Sequence, residues 1–231
     1  MIDVDEELMR IADPKNAEFE KKLIPADCIF LGAKTPGMKA LGKKIVKDDW
    51  KSYISSWRPR YFEDYALRGL VIGYAKMDLE ERFELYRAFI PLIGNWAVCD
   101  ASCSAWKIKD NEKESVWKFI TPYMREPSEF GMRFGTITML SKFIDDEYID
   151  RVIQEMDRVK HDGYYLKMGV AWTLSVCFVK YPEKTMAYLK DCTLDDFTYN
   201  KTLQKIIESY RVDDETKKTI RSMKRKKTVS E

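Results

Sequence analysis

Trp96 and Asp100 stand four residues apart in Asn95-Trp96-Ala97-Val98-Cys99-Asp100. On a helix that spacing puts both side chains on one face, a turn apart. An indole beside a carboxylate is a costly pair for a plain core. It suits chemistry in which positive charge develops between an aromatic surface and an anion. Arg133 and a second tryptophan, Trp172 in Gly169-Val170-Ala171-Trp172, extend the set further along the chain. Other chemistries are poorly supplied. A single histidine, His161, leaves Ser-His, Cys-His and conventional zinc sites without their parts. The five cysteines are scattered, and Cys99 with Cys103 read as small buried hydrophobes rather than a metal pair. His161 precedes Asp162-Gly163 and is expected in an exposed turn. No metal and no cofactor are expected.

The elements that must hold these residues are helical. The 231 residues are 45% apolar, enough for one sizeable core. Apolar positions recur at helical spacing, and no stretch alternates with period two. Thr35 is predicted to cap a helix running to about Lys47, with Pro36 at its first position. Phe62 to Lys76 carries a stripe of Phe62, Tyr65, Ala66, Gly69, Leu70 and Gly73. Leu79 to Leu92 follows, with Gly94 expected as a left-handed C-terminal cap and Asn95 as the cap of the helix bearing Trp96. Further helices are predicted at about 112–124, 128–143, 146–159, 164–180, 183–190, 196–210 and 213–223, divided by Pro127, Asp145-Asp146, Asp162-Gly163 and Pro182. Short connections between amphipathic helices make antiparallel neighbours. Trp50, Trp57, Trp106 and Trp117 are assigned to the core.

Trp96, Arg133 and Trp172 recur at intervals a little under ~40 residues, the length of a HEAT or armadillo helical pair. The fold expected is therefore all-α: one domain over 1–231, built as a HEAT-like superhelix (an α-α solenoid) of antiparallel pairs in a right-handed curved array. Equivalent helices would line its concave groove; an irregular helical bundle is the other arrangement. Lys and Arg number 40 against 38 Asp and Glu, a net charge of +2, which excludes coating of nucleic acid by bulk charge but not a local basic groove. The run Lys224-Arg225-Lys226-Lys227 is read as a solvated, frayed basic tail from about residue 223, with auxiliary phosphate contact as the alternative. The acidic start lacks the features of a secretory signal. No apolar run reaches the roughly 20 residues that span a bilayer. A cytoplasmic protein without membrane attachment is expected.

Four segments in order resemble the AlkD-like DNA alkylation repair enzymes of the HEAT-like repeat DNA glycosylase superfamily. They are Phe30-Leu31-Gly32-Ala33-Lys34-Thr35-Pro36-Gly37-Met38-Lys39-Ala40-Leu41, the Asn95–Asp100 segment, Arg133-Phe134-Gly135-Thr136-Ile137, and Lys167-Met168-Gly169-Val170-Ala171-Trp172-Thr173-Leu174. The resemblance covers about residues 28–210. It implies a concave, basic groove holding duplex DNA that carries alkylated bases, and a site formed by Trp96, Asp100, Arg133 and Trp172, with Thr35 and Lys39 as further DNA-binding candidates.

The implied reaction is monofunctional hydrolysis of the N-glycosidic bond of N3- or N7-alkylated purines. Such bases are already cationic and leave neutral, so no general acid is required. Asp100 would stabilise the sugar cation and orient water. The indoles would flank the cationic nucleotide, and Arg133 would hold a phosphate or pair with Asp100. The protein would act as a monomer with no obligate protein partner, through an open cleft rather than a deep base pocket. The chain departs from the family pattern in three places. Ser175 stands where an arginine often follows the Trp-x-Leu pattern, the basic residue after Thr-Pro is Lys39, and residues 5–27 leave room for about one and a half short helices. Two other classes remain: a non-catalytic helical module binding nucleic acid or protein through its concave face, and glycoside hydrolysis, for which no second carboxylate is marked out.

Overall fold

In the structure, a computed structural model describing residues 2–226, fourteen α-helices and no named strand are found among the described residues. The chain divides into two compact units, residues 1–119 and 120–231.

The first unit opens with two helices, α1 (Val4–Arg10) and α2 (Pro14–Leu23). Two complete helices therefore occupy the segment expected to hold one and a half. Aspartates make the difference: Asp3 caps α1 by accepting from Glu6 N, and Asp13 caps α2 by accepting from Lys15 N and Asn16 N. Then come α3 (Thr35–Lys47), α4 (Trp50–Ser55), α5 (Phe62–Tyr74), α6 (Leu79–Phe89) and α7 (Trp96–Ala105). The boundary between the units falls at the end of α8 (Lys113–Ile120).

Alternate helices of this unit pack side by side, α3 on α5 and α5 on α7. Such sequential packing is that of a helical repeat. The middle helix is buried nearly all round: Phe62, Ala66, Leu67, Leu70, Val71 and Ile72 are all in the core. Its C-terminal carbonyls would be orphaned there. Buried Arg82 of α6 supplies the donors, reaching the carbonyls of Ile72, Gly73 (3.2 Å) and Ala75 (2.7 Å).

The approach of α7 to α5 depends on glycine. A Cβ at Gly73 would lie 2.6 Å from Ala105 Cβ and 2.8 Å from its carbonyl carbon. Because backbone would have to move, Gly73→Ala is expected to cost about 1–3 kcal/mol through overpacking, against a gain of at most about 1 kcal/mol in helix propensity. A urea midpoint equal to that of the parent would show that the contact is not tight.

Several predicted features of this unit differ in detail. The first hydrogen bond of α3 runs from Met38 N to Lys34 O (3.1 Å), so Lys34 is the N-cap and Thr35 the first helical residue. Gly94 is not left-handed; among the described residues only Gly32 has a positive φ, 77°. Instead α6 tightens into a 3-10 turn at Ile90–Leu92, whose first carbonyl is satisfied by Ile93 N (3.0 Å). Trp106 is fully buried, as is nearly all of Trp117, but Trp50 and Trp57 are only half-buried. Trp57 carries the Arg68 guanidinium on its face at 4.4 Å and the edge of Tyr65 at 5.3 Å, partners outside the core.

The second unit contains α9 (Glu129–Lys142), α10 (Ile149–Arg158), α11 (Tyr164–Lys180), α12 (Pro182–Lys190), α13 (Asp196–Glu208) and α14 (Asp214–Ser222). The pattern repeats: α11 packs on both α9 and α13. Glu155 of α10, nearly buried, takes a bidentate pair from Arg125 (2.6 and 3.0 Å) and a third bond from Arg158 (3.1 Å). Asp157, two residues on, accepts from Thr193 N (2.9 Å), Thr193 Oγ1 (3.0 Å) and Tyr188 Oη (2.8 Å). Burial alone would raise its pKa, but those hydrogen bonds prevail and hold it below the ordinary value.

His161 is half-buried rather than exposed. Gly163 N donates to its Nδ1 (2.8 Å), so Nε2 carries the proton given to Pro127 O (3.0 Å). Within the basic run, Lys224 and Lys226 are exposed but Arg225 is anchored. Arg225 donates to Leu194 O (2.6 Å), lies 4.0 Å from the Tyr199 ring centroid, and exchanges backbone bonds with the Asn200 amide. Lys227 lies outside the described residues.

Candidate functional site

In the first unit, Asn95 sets the start of α7. Its backbone is extended and its side-chain oxygen accepts from Val98 N (3.0 Å), which fixes the first turn. Val98, Cys99, Ser102 and Cys103 then face the core, so Cys99 and Cys103 are the buried hydrophobes anticipated. Trp96 and Asp100 lie together on the half-exposed side. The Trp96 indole is not free to swing: its Nε1–H donates to Leu23 O at the end of α2 (3.3 Å). Thus the N-terminal helical pair orients the indole.

The same end of α2 exposes two apolar side chains, Phe19 (59% exposed) and Leu23 (49% exposed), which the sequence reading passed over. Their four-residue spacing was the available signal.

Thr35 and Lys39 share one exposed face of α3, again four residues apart. Lys43 and Lys47 continue that line, also exposed, and were not singled out from sequence. Successive lysines at this spacing rise about 6 Å along the helix. Beside them, Lys34 Nζ pairs with Asp13 at 2.8 Å; that hydrogen bond, foremost, lowers the Asp13 pKa and raises that of Lys34. Lys34 is thereby tied to the cap of α2, while Thr35 and Lys39 point outward.

The start of α3 is positioned by a buried carboxylate. Glu63, near the start of α5 and 1% exposed, accepts from the backbone N–H of Leu31 (3.1 Å), Gly32 (2.7 Å) and Ala33 (3.1 Å). Gly32 can take its left-handed φ there, and a Cβ at this position would collide with the Asp13 carbonyl. Phe62 N donates to Ile29 O (2.9 Å), completing the clasp.

In the second unit, Arg133 of α9 is only 5% exposed, and its guanidinium donates to the Tyr165 carbonyl in the first turn of α11. A Cβ on Gly169 would lie 3.1 Å from that guanidinium, so the glycine makes room for it. Arg133 therefore braces α11 at Tyr165, about two turns before Trp172, and packs beside Gly169, three residues before it. Trp172 itself is 39% exposed and lines an open cleft of about 280 Å³ with Ser175, Val176, Val179, Lys205, Glu208, Ser209 and Arg211. Ser175 is nearly buried and its Oγ donates to Trp172 O (2.7 Å).

Each unit so presents a partly exposed tryptophan: Trp96, held by the Leu23 carbonyl and on one face with Asp100, in the first, and Trp172, beyond the turn of α11 packed near Arg133, in the second. Among the described residues no group of three or more His, Cys, Asp or Glu side chains could hold a metal ion, and no helix is long and apolar enough to cross a membrane.

The chain matches the model of the DNA alkylation repair enzyme family over residues 4–221, and it belongs to that family. No curated protein matches it well enough to count as a relative.

Proposed function

We propose that this member of the family is a monofunctional DNA glycosylase that hydrolyses the N-glycosidic bond of cationic N3- or N7-alkylated purines in duplex DNA, acting in the cytoplasm as a monomer over its whole length. The observation that carries this reading is the pair on α7: an indole with a fixed orientation and a half-exposed carboxylate, one turn apart on one face. Asp100 stabilises the oxocarbenium character that grows on the sugar and orients the attacking water. Because the base departs neutral, the reaction asks for neither a general acid nor a metal. Trp96 and Trp172 offer their faces to the cationic nucleotide, worth roughly 0.5–2 kcal/mol each. Thr35 and Lys39 bind the phosphate backbone. Arg133, with its guanidinium engaged at the start of α11, positions Trp172 and adds positive potential rather than an open two-pronged phosphate grip.

The test is release of free 7-methylguanine or 3-methyladenine from methylated duplex DNA by the purified protein. Release is expected, unaffected by EDTA, with DNA affinity falling steeply as salt rises because neutralised phosphates give up counterions. Rates that collapse with chelator and return with metal would sink the mechanism. The exposed Phe19 and Leu23 favour the second reading, a non-catalytic module with an apolar partner surface. That reading expects DNA or protein binding with no base release at any enzyme concentration.

A further inference from the structure

We infer that Lys205 and Arg211 are phosphate-binding residues of a single-nucleotide seat on Trp172, an inference that rests on the protein binding DNA but not on its releasing a base. The cleft lies wholly within the second unit, between α11 and the end of α13. Its aromatic surface is Trp172, its walls are the aliphatic side chains of Val176 and Val179, and its far rim carries Lys205 and Arg211. It is an open cleft of about 280 Å³, so a nucleotide would lie against its aromatic face rather than be enclosed.

Some cations of this unit are held in ion pairs. Arg125 and Arg158 pair with Glu155, Lys184 with Asp150, Lys167 with Asp162 and Asp195, and Arg225 with Asp196. Lys205 and Arg211 have no carboxylate within ion-pair distance among the described residues. Glu208, the acid of the cleft, instead accepts from Gln204 Nε2 (2.7 Å). Unpaired cations around an exposed aromatic face are the components by which proteins hold single nucleotides: the base or sugar stacks and the phosphate is neutralised. A merely structural role, with the Lys205 stem covering apolar wall, would need no charge at either position. The cleft also explains how the unit tolerates Ser175, since α13 and the turn after it bring positive charge to the surface beside Trp172.

The experiment measures binding of the full chain to a fluorescent duplex bearing a tetrahydrofuran abasic site, by anisotropy over a salt series. Each phosphate contact contributes about 0.9 to the slope of log affinity against log salt. The K205Q/R211Q double variant should flatten the slope by about 1.8 and lose about 60-fold in affinity at 0.1 M salt. Lys218→Gln, an exposed cation on α14 away from the cleft, should leave the slope unchanged. A double variant with the parent's slope overturns the inference, as does a Lys218→Gln effect equal to half that of the double variant. The parent's base-release assay separates this result from the proposed function. A flatter slope in the double variant, with no base released by the parent, keeps the nucleotide seat and loses the glycosylase. Parent protein that does not bind the duplex loses both.

Discussion

Asp100→Asn is expected to slow base release by roughly 10²–10³-fold, the scale of removing one preorganised electrostatic group from a transition state. The substitution keeps the shape of the side chain and one carbonyl acceptor but deletes the charge. Affinity for alkylated duplex should change little, or rise slightly as repulsion from phosphate falls. Single-turnover rates under saturating enzyme separate the two effects, because they report the chemical step without binding. Asp100 is half-exposed on the side of α7 away from the core, so the variant should unfold at nearly the parent's urea concentration. Trp172→Ala behaves differently: it removes contact area as well as an attractive ring face, and should cost both affinity and rate. An Asp100→Asn protein that releases base as fast as the parent would show that another group stabilises the sugar cation.

How far the sequence could be read depended on whether each feature was local. The helix Tyr164–Lys180 coincides with the predicted 164–180 because Gly163 and Pro182 bracket it within the chain itself. Asn95 and the first turn of α7 were legible for the same reason: the cap and the N–H it binds are three residues apart. Gly94 was misread because a glycine after a helix has two local solutions, and Pro91 selects the 3-10 turn. The features that escaped are made by partners distant in sequence. Nothing near Trp96 announces Leu23, yet that carbonyl holds the indole. Arg133 was legible as a notable arginine, but its burial against the start of α11 was not. Arg225 looked like part of a frayed basic run; Tyr199 and the carbonyl of Leu194 anchor it. Pairing of Trp96 with Asp100 needed only helical periodicity, whereas Lys205 and Arg211 gain meaning only once α13 is seen to pack on α11.

Glu63→Ala should destabilise the protein by about 3–5 kcal/mol, and the effect should reach DNA binding although Glu63 touches no exposed surface. The carboxylate is almost wholly buried and receives three consecutive backbone N–H groups, those of Leu31, Gly32 and Ala33. Hydrogen bonds to a charged group contribute about 1.5–3 kcal/mol each, and a buried donor left without a partner costs about 1–3 kcal/mol. Truncation to Ala forfeits the bonds and strands the donors, with water entry into the vacated space as the partial relief that keeps the total below their sum. Glu63→Gln should cost less, about 1–2 kcal/mol. An amide oxygen in the place of Oε1 still accepts from Gly32 and Ala33, while its NH₂ is brought against the Leu31 N–H that Oε2 now faces at 3.1 Å. The consequence for function follows from chain continuity. Residues 31–33 lead directly into Lys34, the N-cap of α3, and so into Thr35 and Lys39. Releasing the clasp loosens the entry to the helix that presents them. In the Gln variant, still folded at 25 °C, DNA affinity should fall several-fold, while base release from bound DNA at saturating enzyme stays within about threefold of the parent, an energy difference under 1 kcal/mol. Urea denaturation read beside anisotropy measures both. Equal stability in parent and Glu63→Ala would mean that the three donors find other partners, and the clasp would not be what sets the start of α3.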